Sequence, residues 1–120
     1  MERMRLAEAE YRFASIVWEH EPLPSGRLVE LCGEELGWKK STTYTVLKKL
    51  TERGILQNKN AVVTSLIPRE AIQREESKAV VERTFGGSLP SFLAAFMGGR
   101  TLSDAEADEL KAVIDQFRKG

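Results

Sequence analysis

The sequence predicts a mostly α-helical fold with one small β-hairpin, divided between an N-terminal domain over residues 1–68 and a helical lobe over 69–120. Three observations lead there. Three helix-length apolar patterns precede two short strand-like runs, and proline or glycine stands at most of the boundaries. Past Pro68 the composition turns to helix punctuated by paired glycines.

The first helix is expected over about Ala7 to His20, where Ala9, Phe13, Ile16, Val17 and His20 recur on one face. Glu21-Pro22-Leu23-Pro24 stops it, because proline removes a backbone donor and restrains the residue before it. Ser25 is the expected N-cap of a second helix from Gly26 to about Leu36, with Leu28, Leu31, Cys32 and Leu36 inward. Gly37 ends it with a residue that tolerates positive φ. Ser41 is the expected cap of a third helix, to about Arg53, with Val46, Leu47 and Leu50 inside. Strands are expected at Ile55–Gln57 and Val62–Leu66, across the turn Asn58-Lys59-Asn60.

Three helices and a hairpin in this order describe a winged helix, and the short 37–40 connection is the turn of a helix-turn-helix. A generic small α+β domain is the competing reading, and the distribution of charge decides between them. The chain balances 18 basic against 18 acidic residues, a net charge of zero. Residues 39–60, however, hold Lys39, Lys40, Lys48, Lys49, Arg53 and Lys59 against Glu52 alone, 6 − 1 = +5, so the remainder sums to −5. The lysines flank and decorate the one helix that such a fold inserts into the major groove. Hydroxyl side chains near its start are within reach of base edges, and lysines further along meet phosphate.

The C-terminal lobe is expected to hold helices over about Arg69–Phe85, Ser88–Met97 and one opening at Ser103 with Glu106 in a capping box. Some fifty residues in short helices bury too little surface to stand alone. Leu89, Phe92, Leu93, Phe96, Leu110, Val113, Ile114 and Phe117 are therefore the candidate surface for a second copy of the chain. Packing of this lobe on its own N-terminal domain is the competing arrangement.

Other classes find little support. No apolar run approaches the roughly 18 residues of a transmembrane helix, and no signal peptide is visible, so a cytoplasmic protein that is not itself a membrane protein is expected. One cysteine, Cys32, and one histidine, His20, cannot furnish a closed zinc site. Cys32 reads as a small buried hydrophobe and His20 as a helix-end residue. Trp18 and Trp38 read as packing residues, and Glu34-Glu35 and Glu75-Glu76 as solvated faces. No catalytic set, metal or cofactor site is expected. A protein-docking module without DNA binding is the alternative function.

The chain resembles the penicillinase-repressor family of BlaI, MecI and CopY type over about residues 6–118. The resemblance rests on Ala9-Glu10-Tyr11-Arg12-Phe13 running to Ile16-Val17-Trp18, and on Ser41-Thr42-Thr43-Tyr44-Thr45-Val46-Leu47-Lys48-Lys49-Leu50. It continues through Lys59, Glu76-Ser77-Lys78, Phe85-Gly86-Gly87-Ser88, Leu93-Ala94-Ala95-Phe96, and Leu102-Ser103-Asp104-Ala105-Glu106-Ala107-Asp108-Glu109-Leu110. It implies a homodimeric repressor whose winged helices read palindromic double-stranded operator DNA and whose C-terminal helices interlock. Thr42, Thr43 and Thr45 match the groove-facing positions of the family's recognition helix, and Lys48 and Lys49 its basic half. The DNA-binding set so implied is Lys39, Lys40, Ser41, Thr42, Thr43, Tyr44, Thr45, Lys48, Lys49 and Lys59. At the position of Tyr44 some members carry arginine, and the wing here is short and poor in arginine and tyrosine. In the β-lactam branch a membrane-bound sensor metalloprotease triggers cleavage within the dimerisation lobe. The matching bond is Ala95-Phe96, with alanine where those repressors have asparagine. The copper branch ends in a cysteine-rich motif, whereas this chain has no cysteine after Cys32.

Overall fold

The computed structural model describes residues 4–119. The described elements run α1 (Glu8–His20), β1 (Leu23–Pro24), α2 (Ser25–Leu36), α3 (Lys40–Glu52), β2 (Leu56–Lys59), β3 (Val62–Ser65), α4 (Arg69–Phe85), α5 (Leu89–Met97) and α6 (Asp104–Gln116). The hairpin β2–β3 gains β1 as a third, antiparallel strand, so the sheet order is β1-β3-β2. With α1 to α3 before it, this is a winged helix-turn-helix. The sequence expected a hairpin alone; β1 is two residues long and begins inside the proline-bounded linker, where no alternation exists to reveal a strand.

The core packs α1 against α2, α3 and the sheet. Phe13, Leu28, Leu50, Ile55, Leu56 and Val63 lie wholly out of solvent. The α1 face that does this is Phe13, Ala14, Ile16 and Val17, with Glu10 at its start, while Ala9 and His20 of the expected face are exposed. His20 instead turns its Nδ1 to the Ile16 carbonyl at 2.9 Å. Between α2 and α3, Gly37 adopts φ 70°, the Trp38 N–H reaches back to the Cys32 carbonyl and that of Gly37 to Gly33, both at 3.2 Å. Such a left-handed cap satisfies carbonyls that the helix end would orphan. It also swings the Trp38 ring onto Phe13, stacked at 5.6 Å between centroids. That stack fixes the turn on the core.

Two expected caps are displaced. The N-cap of α2 is Pro24, and Ser25 enters the helix, donating its N–H to the Ala61 carbonyl at 2.8 Å. The N-cap of α3 is Lys39, which leaves Ser41 in the first turn. In both cases the extended backbone ends, and the helix begins, earlier than side-chain chemistry suggests. The wing turn also shifts: Asn58 and Lys59 lie in β2, and the reversal is made by Asn60 and Ala61 at φ 54° and 62°. A two-residue turn with positive φ at both positions matches the right-handed twist of its strands.

Chain contacts form two compact units, residues 1–80 and 81–120. The first three residues and Gly120 lie outside the described part of these ranges and of the expected 1–68 and 69–120 domains. The division falls inside α4 instead of before it, because the start of α4 packs on α1. Ile72 is fully buried, the Trp18 indole donates to the Ile67 carbonyl at 3.1 Å, and the Arg69 guanidinium lies 5.3 Å from the Trp18 ring centre. Gln73 adds a bond to the Tyr11 hydroxyl at 3.1 Å. The second unit contains the end of α4 with α5 and α6. There Ser103 caps α6 as expected, and Ser88, expected inside its helix, caps α5; they accept the N–H of Glu106 and Ser91, each at 3.1 Å. Among the described residues, no helix is long and apolar enough to cross a membrane.

The wing turn yields a stability test. An L-residue with a Cβ in the left-handed region costs about 1–2 kcal/mol, which glycine avoids at some cost in unfolded-chain entropy. Ala61→Gly creates the preferred Asn-Gly pair and is expected to stabilise the protein by about 0.5–1 kcal/mol. Urea melts of the two proteins check this; an unchanged or lower midpoint would show that the Ala61 conformation carries no strain.

Candidate nucleic-acid interface

The second helix of the helix-turn-helix, α3, is half inside the protein. Thr43, Leu47 and Leu50 face the core, and Val46 is half-buried. On the opposite side Ser41, Thr45, Lys48 and Glu52 form an exposed stripe at helical spacing, with Thr42 and Lys49 along one flank and Tyr44 along the other. Lys39 and Lys40 stand exposed at the helix start, and Lys59 is exposed at the end of β2.

One member of the expected set is misplaced. Thr43 has no exposed surface, and its hydroxyl donates to the Lys39 carbonyl at 3.1 Å. Its side chain meets the buried Cys32 of α2. Threonine is small and can satisfy its own hydroxyl within the helix, so it fits a core position that three consecutive Thr/Ser-type residues do not announce. Thr43 therefore cannot read a base. Burial raises the Cys32 thiol to about 11, partly offset by Thr43, which leaves it protonated and inert near neutrality.

The remaining polar groups are partly committed. Thr45 returns its hydroxyl to the Ser41 carbonyl at 2.9 Å, leaving its lone pairs and methyl outward. Tyr44 donates to the Ser25 hydroxyl at 3.3 Å, joining α3 to the first turn of α2. Lys48 is the lysine of the outward stripe, while Lys49 turns toward α1. There its Nζ lies 3.3 Å from Glu10 Oε2, and the Arg53 guanidinium lies 3.2 Å from Glu10 Oε1. Arg53 also donates to the Arg5 carbonyl at 2.6 Å.

Glu10 is a buried, paired carboxylate whose surroundings the sequence reading passed over. It sits at the third position of α1, only 9% exposed, and its Oε1 also accepts the Ala7 N–H at 2.9 Å. A glutamate three residues into a helix is the usual sign of reciprocal capping. Ala7 has no hydroxyl to complete a capping box, so the signal was hidden. Burial pushes the Glu10 carboxyl up, but the Ala7 N–H, the Lys49 ammonium and the Arg53 guanidinium together hold it below its ordinary value.

In the second unit the expected dimerisation residues Leu89, Leu93, Phe96, Leu110, Val113, Ile114 and Phe117 are all exposed, Phe117 to 78%, and Phe92 is half-buried. Phe92 packs edge-on against Phe85 and stacks on Phe96, at 5.5 and 6.2 Å. Leu93, Phe96, Met97, Leu102, Leu110 and Val113 line an apolar groove between α5 and α6. No described residue of this unit is buried. Ala95 and Phe96 are both exposed on α5, and the Ala95 carbonyl accepts the Gly98 N–H at 3.3 Å.

The penicillinase repressor family model matches residues 6–116. The chain is 23% identical over 115 residues to the methicillin resistance regulatory protein MecI of Staphylococcus aureus, covering 92% of this chain and 94% of that protein. It is 21% identical over 118 residues to the penicillinase repressor of Bacillus licheniformis, with 95% and 92% covered.

The Glu10 cluster predicts a pH dependence. A carboxyl whose folded pKa lies below its ordinary 4.5 stabilises the fold fully above that value. The contribution is lost as pH falls through the lower folded value. Glu10→Gln is expected to lose stability near neutrality and to show a shallower acid limb, measured by urea melts between about pH 7 and about pH 3. Parallel stability curves for the two proteins would mean that the cluster contributes nothing through charge.

Proposed function

The chain belongs to the penicillinase repressor family, and from that premise we propose that it is a transcriptional repressor that binds a palindromic operator as a homodimer. The first unit is the reading head. Its α3 enters the major groove with Ser41, Thr42 and Thr45 toward base edges and Lys48 toward phosphate, while Lys39, Lys40 and Lys59 add flanking charge. The short wing places Lys59 one residue before its turn, so its part in binding is electrostatic.

The observation that carries the dimer is the absence of any buried residue among the described part of residues 81–120. An exposed apolar groove and a stripe reaching Phe117 are unstable in water and demand a cover. A second copy supplies the same face by two-fold symmetry. Two linked heads then engage a two-fold site, the second at the high effective concentration set by the first. Their separation must be about 34 Å or a multiple of it to meet successive major-groove faces.

The same reading extends to induction, by a membrane-bound sensor metalloprotease that leads to cutting at Ala95-Phe96. Scission there splits α5 and leaves Phe92 and Leu93 on one fragment and the α6 stripe on the other. The dimer face is then divided, and the paired heads are released.

Two measurements test this. Ile114→Asp with Phe117→Asp puts charge into the desolvated face at a cost of several kcal/mol. Sedimentation is expected to show monomers, with operator affinity falling toward the non-specific level; a dimer that still binds tightly would remove the lobe as the interface. Separately, if about six phosphates are neutralised, operator affinity is expected to fall roughly 10³-fold between about 50 and 200 mM salt. Titrations that stay flat over that range would contradict an electrostatic footprint.

A further inference from the structure

The Glu10 cluster does more than tie two helices together. Lys49 in the last turn of α3 and Arg53, the C-cap just past its end, are one helical turn apart, and between them sits a single carboxylate at 3.3 and 3.2 Å. Two cations converging on an oxyanion is the arrangement that would receive a DNA backbone phosphate. Here the oxyanion comes from α1. The Lys49 side chain is nonetheless 63% exposed, against 12% for Glu10, so its ammonium lies at the edge of solvent while its partner is held inside.

We propose that Glu10 tempers the charge-driven part of DNA binding, as an internal carboxylate that occupies Lys49 and Arg53 in place of phosphate. The inference rests on the DNA-binding reading given above. Occupying these cations withholds charge from the sequence-independent part of the affinity, which depends on neutralised phosphates alone. It leaves the outward stripe of Ser41, Thr45 and Lys48 unaffected. Specific and non-specific binding are lowered alike, because phosphate contacts carry no sequence information. The same ion pairs hold the end of α3 against α1, and Arg53 adds a bond to the Arg5 carbonyl just before that helix.

Glutamine at position 10 is the discriminating change. Its amide oxygen still accepts the Ala7 N–H, so the backbone bond survives, but the negative charge is gone. The probes are two duplexes: one enriched from a randomised pool by the wild-type full chain, and a scrambled duplex of the same composition. Binding is titrated by anisotropy over about 50 to 200 mM salt. For Glu10→Gln, affinity for the scrambled duplex is expected to rise several-fold, and the log–log salt slope to steepen by about 0.9 for each phosphate newly engaged. Affinity for the enriched duplex is expected to rise by a similar factor, so the preference between the two is unchanged. Adding Lys49→Gln to Glu10→Gln should return the slope most of the way. A purely structural tie predicts something else: weaker binding to both duplexes with an unchanged slope, and that result overturns the proposal.

Should Glu10→Gln fail to fold, Lys49→Gln and Lys48→Gln decide the matter in the otherwise native chain. Lys49, already neutralised by Glu10, must lower the salt slope less than Lys48 does. An equal or larger loss at Lys49 overturns the proposal. A wild-type chain that binds neither duplex at low salt removes the DNA-binding reading itself, and this inference with it.

Discussion

Helix α3 has to do two incompatible things, and most of the first unit follows from how they are reconciled. One side must be buried deeply enough to hold the helix on a small core, and the other must stay free. Thr43, Leu47 and Leu50 supply the buried side, against α1, α2 and the strands. That commitment leaves little room for polar residues to drift. It takes Thr43 out of reach of any ligand, sends Tyr44 toward Ser25, and turns Lys49 toward the Glu10 carboxylate. The free side is then narrow, with Ser41, Thr45 and Lys48 at its centre.

Helix α1 is the platform for this arrangement. Its Phe13 receives Trp38 from the helix-turn-helix turn, its Glu10 receives the end of α3, and Glu21 just beyond its end accepts both the N–H and the hydroxyl of Ser65 in β3 at 2.8 and 2.9 Å. Trp18 and Tyr11 take the start of α4. Apolar packing provides the bulk of the stability, since each fully buried large side chain contributes roughly 1.5–3 kcal/mol. The polar ties add direction, because a hydrogen bond or ion pair is satisfied in one geometry where an apolar contact accepts many. Among its described residues the second unit buries no side chain, and its cap bonds and the Arg118–Asp115 ion pair join residues only three apart in sequence. Its apolar side chains are arranged along α5 and α6 without a partner inside the unit to bury them, which is the physical basis for reading it as half of an interface.

The helices and the class of the fold were legible in the amino-acid order, as was the family. Apolar spacing of 3.6 residues and boundary residues such as Pro22, Gly37 and Gly54 are local signals, and local backbone preference is enough to act on them. The clustering of lysine around α3 and the unpaired apolar stripe of α6 are likewise properties of composition at given positions. What stayed hidden was whatever depends on two distant segments meeting. Strand β1 exists only because β3 offers it hydrogen bonds, so its two residues carry no pattern of their own. Thr43 looks the same in sequence as Thr42 and Thr45; only the packing of α3 on α2 puts it inside. Glu10 looks like an ordinary first-turn carboxylate until α3 brings Lys49 and Arg53 beside it, 39 and 43 residues along the chain. Periodicity determines which residues share a helix face. Which direction that face points, and which charges it meets there, is decided by tertiary packing, because burial and electrostatic pairing are properties of neighbours in space.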